Sequence, residues 1–272
     1  MDPSATRGAS GFQIAFLVFA ALILLAAGDR YVFDHWQWAN DSGFPVGRTM
    51  IFISGGAILL GFPGLRRLCM SLLAAEVPKT KRKEVVAVTA LHVSTAFAAM
   101  GALALWWWSS GGEPALARHM GQSKHAADEW QQALSLNGVV TTLVLAGILA
   151  PIVEELVFRG MLYRAWAMRW GWFPSAIGTS LVFAVFHSGM VSQFFLSLLL
   201  VSLLRRTGSL RACIFSHSAF NILMWYPLIG HFVLPAGRST GEISFWLPHL
   251  ICLPIALIAV PAYLWMGRET RR

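Results

Sequence analysis

Apolar residues run along this chain in long blocks, and the polar residues collect between the blocks instead of alternating with them. Such blocks predict helices that are apolar on every side, and about 20 residues is the length that crosses a bilayer. Phe12–Ala27 is the first block. It is short and ends in small residues, as a signal peptide does, but Leu25 and a single preceding basic residue, Arg7, make a poor cleavage site, so a first transmembrane helix is preferred. Thr49–Leu65 predicts a second span, glycine-rich and interrupted by Pro63. Val85–Trp108 predicts a third, closed by three tryptophans suited to a membrane interface. Asn137–Tyr163, Phe173–His187, Val191–Leu204, Leu210–Leu228 and Phe245–Met266 follow, the last broken by Pro248, Pro254 and Pro261. Several of these blocks fall short of about 20 residues and read as tilted or cavity-lining helices. Between the third and fourth, residues 109–134 form the longest polar segment. The pattern shows no internal repeat and no low-complexity segment. The expectation is an all-α polytopic membrane protein of about eight transmembrane helices. Residues 1–272 would be one integral membrane domain enclosing a cavity, with its chemical core at 137–228.

Composition agrees with the pattern. The chain is 56% hydrophobic and only 12% charged, with a mean hydropathy of +0.60. Soluble domains carry about 25% charged residues, so little room is left for one. A net charge of +8 invites a nucleic-acid reading, but the basic residues are distributed as a topology signal. All 21 except Arg30, Arg48, Arg118, Lys124 and Arg238 fall on one side of an eight-span arrangement. The excess of Lys and Arg marks the cytoplasmic side, which would hold both termini. Cys69, Cys213 and Cys252 are isolated and odd in number, which supports neither a disulfide framework nor a thiolate metal site.

One stretch breaks the apolar rule. Ala150–Gly160 places Glu154, Glu155 and Arg159 near the end of the fourth block, with Met161, Leu162 and Trp166 still to come. Each ionisable group at membrane depth costs roughly 2.5–3.5 kcal/mol on insertion scales, so three together need a reason. Glu155 and Arg159 are four apart and share a helix face, the spacing of an ion pair. Glu154 is rotated about 100° from Glu155 and can face something else. Two further polar pairs have the same spacing. Phe183 and His187 share a face in the fifth block, and His217 and Asn221 in the seventh. An imidazole and an amide on one face can converge on a single acceptor, as an oxyanion hole requires. At 1.5 Å per residue, Glu154 and His217 lie at similar depths, ~14 and ~10 Å from the inner ends of their spans, whereas His187 comes out nearer ~20 Å. That mismatch calls for a tilted or irregular fifth helix.

Glu154-Glu155-x-x-x-Arg159, Phe183-x-x-x-His187 and His217-x-x-x-Asn221, in this order on successive spans, resemble the three signature motifs of the CAAX protease and bacteriocin-processing family. These are intramembrane glutamic endopeptidases that include the Rce1-type CAAX prenyl endopeptidases. The resemblance covers 154–221, about a quarter of the chain. It implies that Glu154 and His187 activate a water, that His217 and Asn221 stabilise the oxyanion, and that Glu155 and Arg159, with Phe183, support the site. It implies no cofactor and no metal, and a membrane-anchored protein or peptide as substrate. The setting expected is the lipid bilayer of a bacterial inner membrane, without a nucleic-acid partner. A zinc peptidase is the nearest rival, but the chain has no His-Glu-x-x-His and no histidine pair four apart. A proton-coupled transporter would use similar residues but often carries internal repeats. A non-proteolytic bacteriocin-immunity or scaffold protein is the alternative reading. Substrate identity and oligomeric state are not legible.

Overall fold

The computed structural model describes residues 55–57, 61–120, 142–187, 189–225 and 240–266. The first expected span, most of the second, both termini and residues 121–141 of the polar segment and its flank lie outside the described residues. Among those described there is no strand.

The first long element extends the sequence reading. The helical backbone breaks at Phe62, and Pro63 opens a helix, α1 (Pro63–Ala74), which runs past Leu65, the expected end of the second span. A proline that breaks a helix in its interior suits the first turn, where its missing N–H would have had no partner. Cys69 and Leu72, three apart, are the buried face of α1. A short 3₁₀ turn, Lys79–Lys81, leads into α2 (Arg82–Met120). This helix overruns the expected third span at both ends, so 109–120 is not a polar loop. It is broken only at Gly111-Gly112, where Gly112 takes φ 66° and ψ −156°, a conformation left to glycine. Pro114 then falls in the first turn of the resumed helix, and Trp107 stacks on His119 across the break at 3.6 Å.

The fourth expected span is divided. A π-helical segment, Thr142–Leu149, passes into α3 (Ala150–Glu155), then a second π segment, Leu156–Leu162, then α4 (Tyr163–Trp170). π-Helical turns are rare and concentrate at functional sites. Next come α5 (Trp172–Val185), α6 (Met190–Thr207) and α7 (Leu210–Trp225). A 3₁₀ turn, Ile243–Trp246, then precedes α8 (Leu247–Met266). Pro254 and Pro261 lie inside α8 without ending it, correcting the broken eighth span. Packed neighbours in membrane helices accommodate such prolines.

α6 is the centre of the core, with Leu196, Leu199, Leu200 and Leu203 fully enclosed. α2 and α8 touch backbone to backbone at Gly101, where a Cβ would come within 2.7 Å of the His249 carbonyl carbon. Small residues permit this approach between membrane helices, where there is no hydrophobic drive to bring them together. Three helical stretches are long and apolar enough to cross a membrane: Lys79–Met120, Met190–Thr207 and Ile243–Trp265. Trp172–Val185 is a shorter apolar helix. The eight spans expected over the whole chain are thus represented by three full-length ones among the described residues.

Candidate active site

The site is assembled from the end of α3, the turn after α5 and the middle of α7. Glu155 is fully enclosed and accepts a 2.9 Å bond from Arg159 Nη1, the ion pair expected from their spacing. The same carboxylate oxygen, Oε1, accepts a 2.8 Å bond from His217 Nδ1. A carboxylate held by arginine can only accept, so His217 carries its proton on Nδ1 and turns Nε2 outward. Arg159 is also 1% exposed, with its guanidinium carbon 4.5 Å above the Phe183 ring. Arginine, glutamate and histidine therefore form one enclosed chain linking α3, the second π segment and α7.

His187 reaches the same place by another route. α5 ends at Val185, two residues before the histidine, so the fifth helix is shorter than expected. The last carbonyls of a helix lack backbone donors. The His187 N–H takes that of Ala184 at 3.1 Å, and its ring Nδ1–H takes that of Phe183 at 2.7 Å. The ring stacks on Phe183 at 4.3 Å. Because a carbonyl can only accept, Nδ1 is again the protonated nitrogen and Nε2 the free one. His187 thus lies on a turn that caps the helix, not on the helix itself.

Glu154 stands between the two imidazoles. Its Oε2 is 3.8 Å from His187 Nε2 and 3.8 Å from His217 Nε2. These distances exceed a hydrogen bond, and polar groups so spaced are ones a water can bridge. Exposure grades across the set: Glu155 0%, Arg159 1%, His217 4%, Glu154 19%, His187 27%. The supporting pair is sealed, and the two groups that could meet a reactant are reachable.

Asn221 is placed differently from a simple convergence with His217. Its amide nitrogen donates to the Ala146 carbonyl at 2.7 Å. In the π register the donor five residues on from Ala146 would be Pro151, which has no N–H. Asn221 supplies the missing bond and ties α7 to the first π segment.

Two features escaped the sequence reading. His92 of α2 is fully buried, stacks on Phe220 with ring centroids 3.3 Å apart, and lies in electrostatic range of His217 and Arg159. Thr89, three residues earlier, meets the Ser216 hydroxyl at 3.0 Å, next to His217. Only a helical-wheel alignment of α2 against α7 would have suggested either. No group of three or more His, Cys, Asp or Glu residues arranged to hold a metal ion occurs among the described residues.

The fold and site together define a helical membrane protein with a carboxylate–imidazole centre between helices. Residues 136–223, about a third of the chain, match the family model described as type II CAAX prenyl endopeptidase Rce1-like. The segment that carries the three motifs thus matches the family they resemble, which is a family of peptidases. No curated protein and no solved structure matches the chain.

Proposed function

We propose that this protein is an intramembrane glutamic-type endopeptidase that works without a metal and cleaves a membrane-anchored protein or peptide near a terminus. The observation that carries this reading is the position of Glu154 Oε2, 3.8 Å from two imidazole Nε2 atoms that come from separate chain segments and are both anchored through Nδ1.

A water between Glu154 and His187 gives up a proton to this pair as its oxygen bonds the scissile carbonyl carbon. The carbonyl π electrons move onto oxygen. That oxyanion lies on the side of His217 and Asn221. His217 donates through Nε2 when it carries its second proton, and Asn221 donates through the N–H not engaged by Ala146. The C–N bond then breaks as the Glu154–His187 pair returns a proton to the leaving nitrogen. General acid–base catalysis supplies about 10²–10⁴-fold, and each oxyanion donor about 10²–10³-fold. Glu155 and Arg159 reach the reaction only through His217 and Phe183, which they hold in place. The basic segments fit one cytoplasmic side of a bacterial inner membrane. Glu84 at the start of α2, Arg206 at the end of α6 and Tyr263 near the end of α8 meet, which brings those helix ends together.

The test compares wild type with Glu154→Gln at matched membrane abundance, mapping peptide termini by mass spectrometry. A terminus present with wild type, absent with the variant and restored by purified protein supports the reading. Unchanged termini alongside a phenotype that persists in the variant would overturn it in favour of a non-proteolytic role.

A further inference from the structure

A second junction of polar and apolar surface lies away from Glu154. The start of α5 and the last turns of α6 and α8 enclose a cleft of about 300 Å³. This is the low end of ligand-sized pockets, about 300–1,000 Å³. Its walls are apolar, with Ala176 from α5 and Leu198 and Val201 from α6. Its rim is different. Trp172 and Trp265 stand there 38% and 63% exposed, and the Arg205 guanidinium lies 3.7 Å over the Trp172 ring.

The position of this rim in the membrane can be argued from helix length. α6 has 18 residues, hence is about 27 Å long, close to the roughly 30 Å hydrocarbon thickness of a bilayer. Arg205, two residues from its end, is therefore at the boundary between acyl chains and headgroups. Indoles favour the same level. Arg206 turns inward to Glu84 and Tyr263, leaving Arg205 as the arginine of this turn that faces the cleft. Arg169, exposed in the last turn of α4 just before Trp172, adds a second cation at this end. A guanidinium is a planar donor fork that matches phosphate oxygens in pairs. An apolar slot opening between indoles beside such a fork has the chemistry of an amphiphile: a chain inside, an anion at the mouth.

We propose that this cleft binds an anionic phospholipid, with part of one acyl chain between α5, α6 and α8 and the phosphate on Arg205. The site is separate from the Glu154 centre, none of whose residues lines it.

Purified full-length protein, given equal amounts of phosphatidylglycerol and phosphatidylcholine with identical acyl chains in detergent, is read by native mass spectrometry. Wild type should retain the anionic lipid over the zwitterionic one by about fivefold, the worth of one arginine near an anionic surface. Arg205→Ala should bring the two to parity, and Arg205→Lys should recover part of the preference. Ala176→Phe, which fills the slot, should lower retention of both lipids. Arg205 is on the rim, so its variants keep the test valid even where Ala176→Phe folds poorly. Parity in wild type, or a preference that survives Arg205→Ala, would overturn the proposal. A dimer that Ala176→Phe splits would assign the face to a second copy and overturn it too. Glu154→Gln should bind lipid as wild type does, which separates this test from the proteolytic reading.

Discussion

Two arginine–carboxylate clusters organise this molecule, one sealed and one partly exposed, and only the sealed one borders a place for chemistry. Glu155, Arg159 and His217 join the second π segment to α7. Glu84, Arg206 and Tyr263 join α2, α6 and α8. In the second cluster the groups bond to one another, with the buried Arg206 Nε left without a hydrogen bond. Arg206 lies 3.4 Å from the Glu84 carboxylate, donates to the Tyr263 carbonyl and lies over the Tyr263 ring, while the Tyr263 hydroxyl donates to Glu84 at 2.9 Å. The first cluster directs a spare nitrogen at a further ionisable group. His217 presents Nε2 outward, toward a neighbouring carboxylate that sits beyond hydrogen-bond range of both its imidazoles. A buried ion pair is thus a poor marker of a site, since structural pairs are common and often cost about as much in desolvation as they return. The better marker is a polar group held in place by neighbours that do not saturate it.

Glu154→Gln attacks that difference most directly. The amide cannot take a proton from water, so turnover of a substrate identified by terminal mapping should fall by about 10²–10⁴-fold. Melting temperature in detergent should stay near wild type, because Glu154 makes no contact shorter than 3.8 Å with either histidine. A large loss of stability would place Glu154 among the structural groups and remove the contrast.

Arg159→Ala comes next. It leaves the enclosed Glu155 carboxylate with His217 as its remaining partner. Breaking one side of a buried pair costs about 3–5 kcal/mol. Stability and turnover should fall together, since the same carboxylate orients His217. Arg206→Ala should separate the two clusters. It removes charged hydrogen bonds worth about 1.5–3 kcal/mol and should lower the melting temperature while leaving the turnover of the folded fraction unchanged. A selective loss of turnover in Arg206→Ala would mean that the helix ends and the site are coupled.

How far the sequence foretold this depended on whether a feature was local to one helix. The Glu155–Arg159 pair follows from four-residue spacing and was legible, as was the stacking of Phe183 on His187. The three motifs also pointed to the segment that the family model matches. The end of α5 was not legible, because Val185, Phe186 and His187 continue the apolar pattern and only the His187 bond to the Phe183 carbonyl shows where the helix stops. The π segments were equally hidden, since nothing in the sequence ties Pro151 to Asn221, whose amide satisfies the Ala146 carbonyl. Pro63 was legible as a break, but the helix it opens, running on to Ala74, was not. Contacts between helices distant in sequence, such as Thr89 with Ser216, leave no periodic trace at all.

That last contact provides the finest test of the division between scaffold and site. Thr89 Oγ1 bonds the Val85 carbonyl at 2.9 Å and meets the Ser216 hydroxyl at 3.0 Å, one residue from His217. Thr89→Val keeps the shape and removes the hydroxyl. It should cost about 0.5–1.5 kcal/mol, the net worth of one buried hydrogen bond. Ser216→Ala should cost a similar amount, and the double variant less than the sum, because the two hydroxyls are partners. Turnover should hardly change, since the bond fixes α7 against α2 without touching Glu155 or the outward nitrogen of His217. If Thr89→Val instead lowered turnover tenfold or more at unchanged melting temperature, a shift of α7 too small to affect stability would suffice to misplace His217. Such sensitivity is what positioning catalysis entails. The boundary of the site would then have to be drawn to include α2, with His92 beside it.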